Sequence, residues 1–112
     1  MKRVIIASTK FDLNDEDTQY DIAQYAKKYV LEAVSNKVNK RRKKNLRQFY
    51  VDDLSWSADS IHFDVYEEDD GPGTFIADFS CPLNFYDEPS ESMEDVKYLI
   101  DEQTHEFLYE IR

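Results

Sequence analysis

The apolar positions of the chain change period along its length, and each period fits one kind of element. From Arg3 to Thr9 the residues are β-branched or apolar on both alternating faces, with Val4 and Ile6 on one and Ile5 and Ala7 on the other. That pattern predicts a strand covered on both sides, placed centrally in a sheet. Asn14 to Thr18 supplies N-cap residue types and acidic side chains, which the positive end of a helix dipole favours. Ile22, Ala26, Tyr29 and Ala33, with Ala23, Val30, Val34 and Val38 on adjoining rows, then recur at three- and four-residue steps. A helix with one apolar face is predicted as far as about Ser35, and the charges that follow leave open whether it continues to about Arg47 or breaks.

Beyond Arg47 the period shortens to two. Gln48 to Ser55 sets Phe49 and Val51 against Tyr50 and Asp52, and Ser60 to Glu67 sets Ile61, Phe63 and Val65 against His62, Asp64 and Tyr66. Glu68 to Gly73 is a turn cluster, and Thr74 to Cys81 follows with Phe75, Ala77, Phe79 and Cys81 expected inward and Thr74, Ile76, Asp78 and Ser80 outward. The second and third of these strands should form an antiparallel hairpin. Pro82 and Pro89 bracket a loop, and Ser92 with Asp95 makes a capping-box pattern. Met93, Val96, Ile100, Phe107 and Ile111 then form a helical stripe running nearly to the C-terminus. The expected architecture is α+β in the order β-α-β-β-β-α, a mostly antiparallel sheet of about four strands with two helices packed on one face.

At 112 residues, of which 41% are hydrophobic and 14% aromatic, the chain is expected to form a single domain, 1–112, around one core. No run approaches the ~18 apolar residues of a membrane span. No secretory leader pattern opens the sequence, so the expected setting is cytoplasmic and membrane partners are not expected. The lone Cys81 excludes a disulfide framework and is expected to be a buried structural thiol.

Charge alters the picture more than composition does. The net charge is −10, but residues 1–47 hold twelve basic and six acidic side chains, whereas 48–112 hold two basic and eighteen acidic. The first part therefore carries +6 and the second −16. Half of all the basic residues lie between Lys37 and Arg47, with Lys40, Arg41, Arg42, Lys43, Lys44 and Arg47 as candidate contacts to nucleic acid or to a partner. The plainer reading of that stretch is a solvated helix end that offsets the acidic half, and a localisation signal is a third. The α-β-β-β-α portion resembles the element order of double-stranded-RNA-binding domains. A shape reader of A-form RNA must present Lys and Arg to phosphates, however, so that function is rejected for the −16 surfaces.

The candidate partner-binding set is Asp52, Asp53, Asp64, Tyr66, Glu67, Glu68, Asp69 and Asp70, carboxylates and an aromatic on or beside strands. Carboxylates on rigid elements compete for cationic nucleic-acid grooves and associate by electrostatic steering. The plainer reading is solubilising charge. Tyr50, Tyr66 and Trp56 are candidate interface anchors, unless another layer covers them. Glu67 to Asp70 lacks the spacing of a calcium loop and reads as a hairpin turn. His62 and His105 have no paired ligand at i+4, so no metal or cofactor is expected. No GxSxG, P-loop or GxGxxG occurs, which argues against catalysis.

A small, acidic, cysteine-poor chain with many Tyr and Phe and no catalytic motif resembles, in type, the inhibitors that phages and mobile elements encode against host nucleases, including anti-CRISPR proteins. That resemblance implies a protein partner with a basic nucleic-acid-binding groove, such as the RNA-guided nuclease Cas9. The basic stretch would add a contact to guide RNA or to an acidic patch of the target. The alternative is a nucleic-acid-associated accessory protein that binds through Lys37 to Arg47.

Overall fold

Asp15 opens the first helix, α1 (Glu16–Val38), its side chain accepting from the backbone N–H of Thr18 at 3.0 Å while Glu16 and Asp17 meet the positive end of the dipole. The structure is a computed structural model describing residues 11–111, so the strand expected at Arg3 to Thr9 lies outside the described residues. Three strands follow, β1 (Phe49–Ser57), β2 (Ser60–Glu67) and β3 (Thr74–Pro82), and a second helix, α2 (Met93–Leu108). They form an antiparallel sheet of order β1-β2-β3. Among the described residues the sheet thus has three strands, where the sequence pattern suggested about four.

The sheet's inner face carries Ile61, Phe63 and Val65 from β2 and Ala77, Phe79 and Cys81 from β3, all buried. Ile22, Ala26, Val30 and Val34 of α1 and Val96, Ile100 and Phe107 of α2 complete one core cluster, so both helices cover the same face. Phe79 joins the layers, stacked on Phe63 at 4.9 Å between ring centroids and edge-on to Phe107 at 5.4 Å. The Tyr25 hydroxyl donates to Asp101 at 2.8 Å, and the Lys37 ammonium donates to the Leu108 carbonyl. These contacts advance in the same sense along both helices, so α1 and α2 run roughly parallel.

The first helix ends at Val38. Asn39 is the C-cap and its side chain turns to the chain ahead, accepting from Arg47 N and donating to Arg47 O, each at 2.9 Å. The basic residues Lys40 to Lys44 therefore lie in a closed exposed loop rather than on a continued helix. Ser92 caps α2 through Asp95 N, while Asp95 accepts from Glu91 N.

Two irregularities overturn parts of the alternating pattern. In β1 the register jumps between Asp52 and Ser55, with Asp53 at φ +57. The extra residue shifts the phase of the strand, so Trp56 pairs with Ile61 and packs against the core. Of the two readings of Trp56, exposed interface anchor or residue covered by another layer, its packing agrees with the second. The second irregularity pairs Val65 with Ala77 but Tyr66 with Phe75. Phe75, expected inward, is thereby carried to the outer face, where it is 54% exposed, and Ile76 packs at the core margin.

Candidate functional site

With both helices on the inner face, the outer face is left to polar and aromatic side chains of the three strands. Asp52, Asp64 and Asp78 pair in register across the sheet, a row of carboxylates one strand apart. The bulge residue Asp53 joins them. Burial first, then the charges of Asp53, Asp78 and Asp52, hold Asp64 above the usual carboxylate range. Like charges placed directly opposite are destabilising in a sheet, so the row works against folding.

Beside the carboxylates runs an aromatic platform. Tyr50 stacks on Tyr66 with ring centroids 5.4 Å apart, and Phe75 meets Tyr66 edge-on at 5.8 Å. Burial, then Asp53, Asp64 and Asp52, push the Tyr66 hydroxyl above its ordinary value. The platform is braced from the β2–β3 turn. Tyr50 donates to the Pro72 carbonyl at 2.8 Å and lies against Gly73, where a Cβ would stand 2.1 Å from the Tyr50 oxygen. Gly73 also has φ +95, a conformation that side chains disfavour.

The remaining acidic candidates have different surroundings. Asp69 accepts from Gly71 N at 2.8 Å, Gly73 N at 3.1 Å and the Thr74 hydroxyl at 2.7 Å. Thr74 first, then Gly71 and Gly73, hold its carboxyl below the usual range, so Asp69 organises the turn. Glu67 accepts from Arg47 through both oxygens, at 2.8 and 2.6 Å, and this bidentate pair lowers its pKa. The same guanidinium lies 5.6 Å from the Phe49 ring centroid. Glu68 and Asp70 are exposed at the turn. The candidate sets therefore divide: Asp52, Asp53, Asp64 and Tyr66 share the outer face, whereas Glu67 and Arg47, assigned to opposite sets, bind each other.

Lys40, Arg41, Arg42, Lys43 and Lys44 remain exposed, and Arg42 donates to the Asn45 carbonyl at 3.1 Å. Among the described residues the one ion pair is Arg47–Glu67, so none of Lys40 to Lys44 is in direct contact with a carboxylate, although the charge of Arg42 also helps lower the Glu67 pKa. His62 sits beside Asp64 on β2 with Nδ1 at 2.9 Å from the Ser80 hydroxyl. Cys81 is buried, its thiol pushed up to about 12 by desolvation. No group of three His, Cys, Asp or Glu converges as a metal site would require among the described residues. No helix of the described residues is long and apolar enough to cross a membrane.

Sequence reasoning missed Phe75 and Asn39 as parts of these surfaces. A bulge leaves no mark in an alternating pattern, and a capping Asn is legible only once the helix end is known. The site's class is thus an acidic and aromatic sheet face on an α+β scaffold. Comparison with protein families, with curated proteins and with solved structures finds no match to this chain.

Proposed function

We propose that the chain is a non-catalytic acidic binding protein, an anti-CRISPR-like inhibitor that occupies a basic nucleic-acid-binding surface of a nuclease such as Cas9. The observation that carries this reading is the Asp52, Asp64 and Asp78 row, held in register on a rigid sheet beside Tyr50, Tyr66 and Phe75. Carboxylates that oppose folding and aromatics on the same open face are what a cationic partner would stabilise on docking. The test is titration of the protein into guide-loaded Cas9 at rising salt, with DNA binding as readout. Inhibition that weakens with salt and is lost in a Asp64→Asn, Asp78→Asn variant supports the reading. Salt-independent inhibition, or none with this or any other nucleic-acid enzyme, overturns it.

A second reading rests on the closed basic loop, whose exposed cations Lys40 to Lys44 form no ion pair among the described residues. In that case the chain is an accessory protein that grips phosphates through Lys40 to Lys44. Gel shift with duplex DNA and single-stranded RNA at low salt separates the two. Direct binding abolished by neutralising Arg41, Arg42, Lys43 and Lys44 favours the accessory reading.

A further inference from the structure

Among the described residues one guanidinium, that of Arg47, is held by both a carboxylate and an aromatic ring. Arg47 is held by the two oxygens of Glu67 on its N–H edge and by the Phe49 ring near its face. A carboxylate for the edge and an aromatic ring for the plane are the two elements that suit arginine better than lysine. The guanidinium is flat, forked and weakly hydrated, whereas an ammonium is a compact, strongly hydrated point charge. The outer face repeats both elements in larger number, with Asp52, Asp64 and Asp78 in a row and Phe75 exposed beside Tyr66. Among the described residues no Lys or Arg forms an ion pair with any of them.

We propose that the outer sheet face is a receptor for an arginine side chain presented by the partner, its plane laid against the exposed Phe75 ring, which Tyr66 braces edge-on, and its N–H edge on Asp64 and Asp78. The inference rests on the outer face being the docking surface, and it adds which cation that surface selects. Three features favour arginine. The platform is fixed in advance, because Tyr50 is tied to Pro72 and seated on Gly73, so little order is lost when a planar group stacks on it. The carboxylates crowd one another, so a cation that bridges two of them relieves repulsion at the moment of binding. Phe75 is a large apolar ring exposed among charges, where the register shift of β3 has put it, and a stacked guanidinium would cover it while keeping its own N–H edge wet or paired.

The test uses the whole protein and two capped synthetic peptides, one alternating Gly with Arg and the other Gly with Lys, titrated calorimetrically at low salt. The arginine peptide should bind at least about tenfold more tightly, a difference of about 1.4 kcal/mol. Phe75→Ser should remove most of that preference while leaving the lysine peptide nearly unaffected. Because Phe75 is exposed, the variant should retain the wild-type circular dichroism, and Tyr66→Leu is a second variant with the same expected loss. Asp64→Asn with Asp78→Asn should weaken both peptides. Equal affinities for the two peptides, both lost in the Asn variant, would overturn the arginine preference and leave the acidic docking face standing. Binding of neither peptide, or binding unaffected by the Asn variant, would overturn both.

Discussion

At the scale of single residues, several side chains do two jobs that pull against each other. Asp64 is the clearest. Its folded pKa lies above the ordinary value, so the native state holds a proton there more readily than the unfolded chain does. The stability tied to that proton is complete below the ordinary carboxylate pKa and is lost as pH rises through the raised one. At neutral pH Asp64→Asn should therefore stabilise the fold, by on the order of 0.5 kcal/mol, while weakening partner binding. A urea midpoint that falls in the variant would contradict this. Ala58 opens the two-residue β1–β2 turn at φ +53, where a side chain crowds the backbone. Ala58→Gly should gain about 1 kcal/mol in the same measurement. Gly73 stands at the opposite extreme, since its conformation and the Tyr50 oxygen both exclude a Cβ. Gly73→Ala should cost on the order of 1 to 3 kcal/mol and displace Tyr50 from the platform, visible as a change in near-ultraviolet circular dichroism.

At the scale of elements, the loop after α1 depends on one side chain. Asn39 closes it with two hydrogen bonds to Arg47, each contributing about 1 kcal/mol. Asn39→Ala should lower global stability by about 1 to 2 kcal/mol and speed tryptic cleavage at Lys40 to Lys44 several-fold, because the loop is no longer closed. Cleavage at the wild-type rate would show that the loop is held elsewhere. The helix spans were legible in the sequence because the stripes of Ile22, Ala26, Val30 and Val34, and of Val96, Ile100 and Phe107, follow from burial at a 3.6-residue period. The end of α1 at Val38 was not, since Lys and Arg are good helix formers and their propensity alone allows continuation. The strand faces were legible for β2, where Ile61, Phe63 and Val65 alternate without interruption. They failed in part of β1 and β3, where one extra residue reverses the side chains on one side of the bulge, those after it in β1, as Trp56 shows, and those before it in β3, as Phe75 shows.

At the scale of the whole molecule, the two ends of the charge asymmetry meet at the Arg47–Glu67 pair. Glu67 and Asp69 have folded pKa values below the ordinary ones, so their contribution to stability is present above the ordinary carboxylate pKa and is lost as pH falls through the lowered values. Asp64 responds in the opposite sense. On acidification the Glu68 to Gly73 turn should therefore loosen while the carboxylate row relaxes. Amide exchange should show this as faster exchange at Gly71 and Gly73 below about pH 4, before global unfolding. Slower or unchanged exchange at those amides would count against Asp69 as the brace. In the core, Phe79→Ala, at the junction of the sheet and α2, should cost about 3 to 5 kcal/mol in urea unfolding.

Periodicity in the sequence determined the two helices, the existence of three strands, the β2–β3 hairpin and the inner face of β2, because each of these depends on which residues must leave water. Charge counting determined that the second half of the chain is strongly acidic. Tertiary structure alone decided which acidic residues stand together. Asp52, Asp64 and Asp78 are far apart along the chain and become neighbours only through antiparallel register. It also decided that Asp69 organises a turn, that Glu67 binds Arg47, and that Phe75 faces outward. The physical reason is the same in each case. Burial is a property of one residue's side chain and repeats along an element, whereas a pairing or a register shift is a relation between strands, which no single stretch of sequence contains.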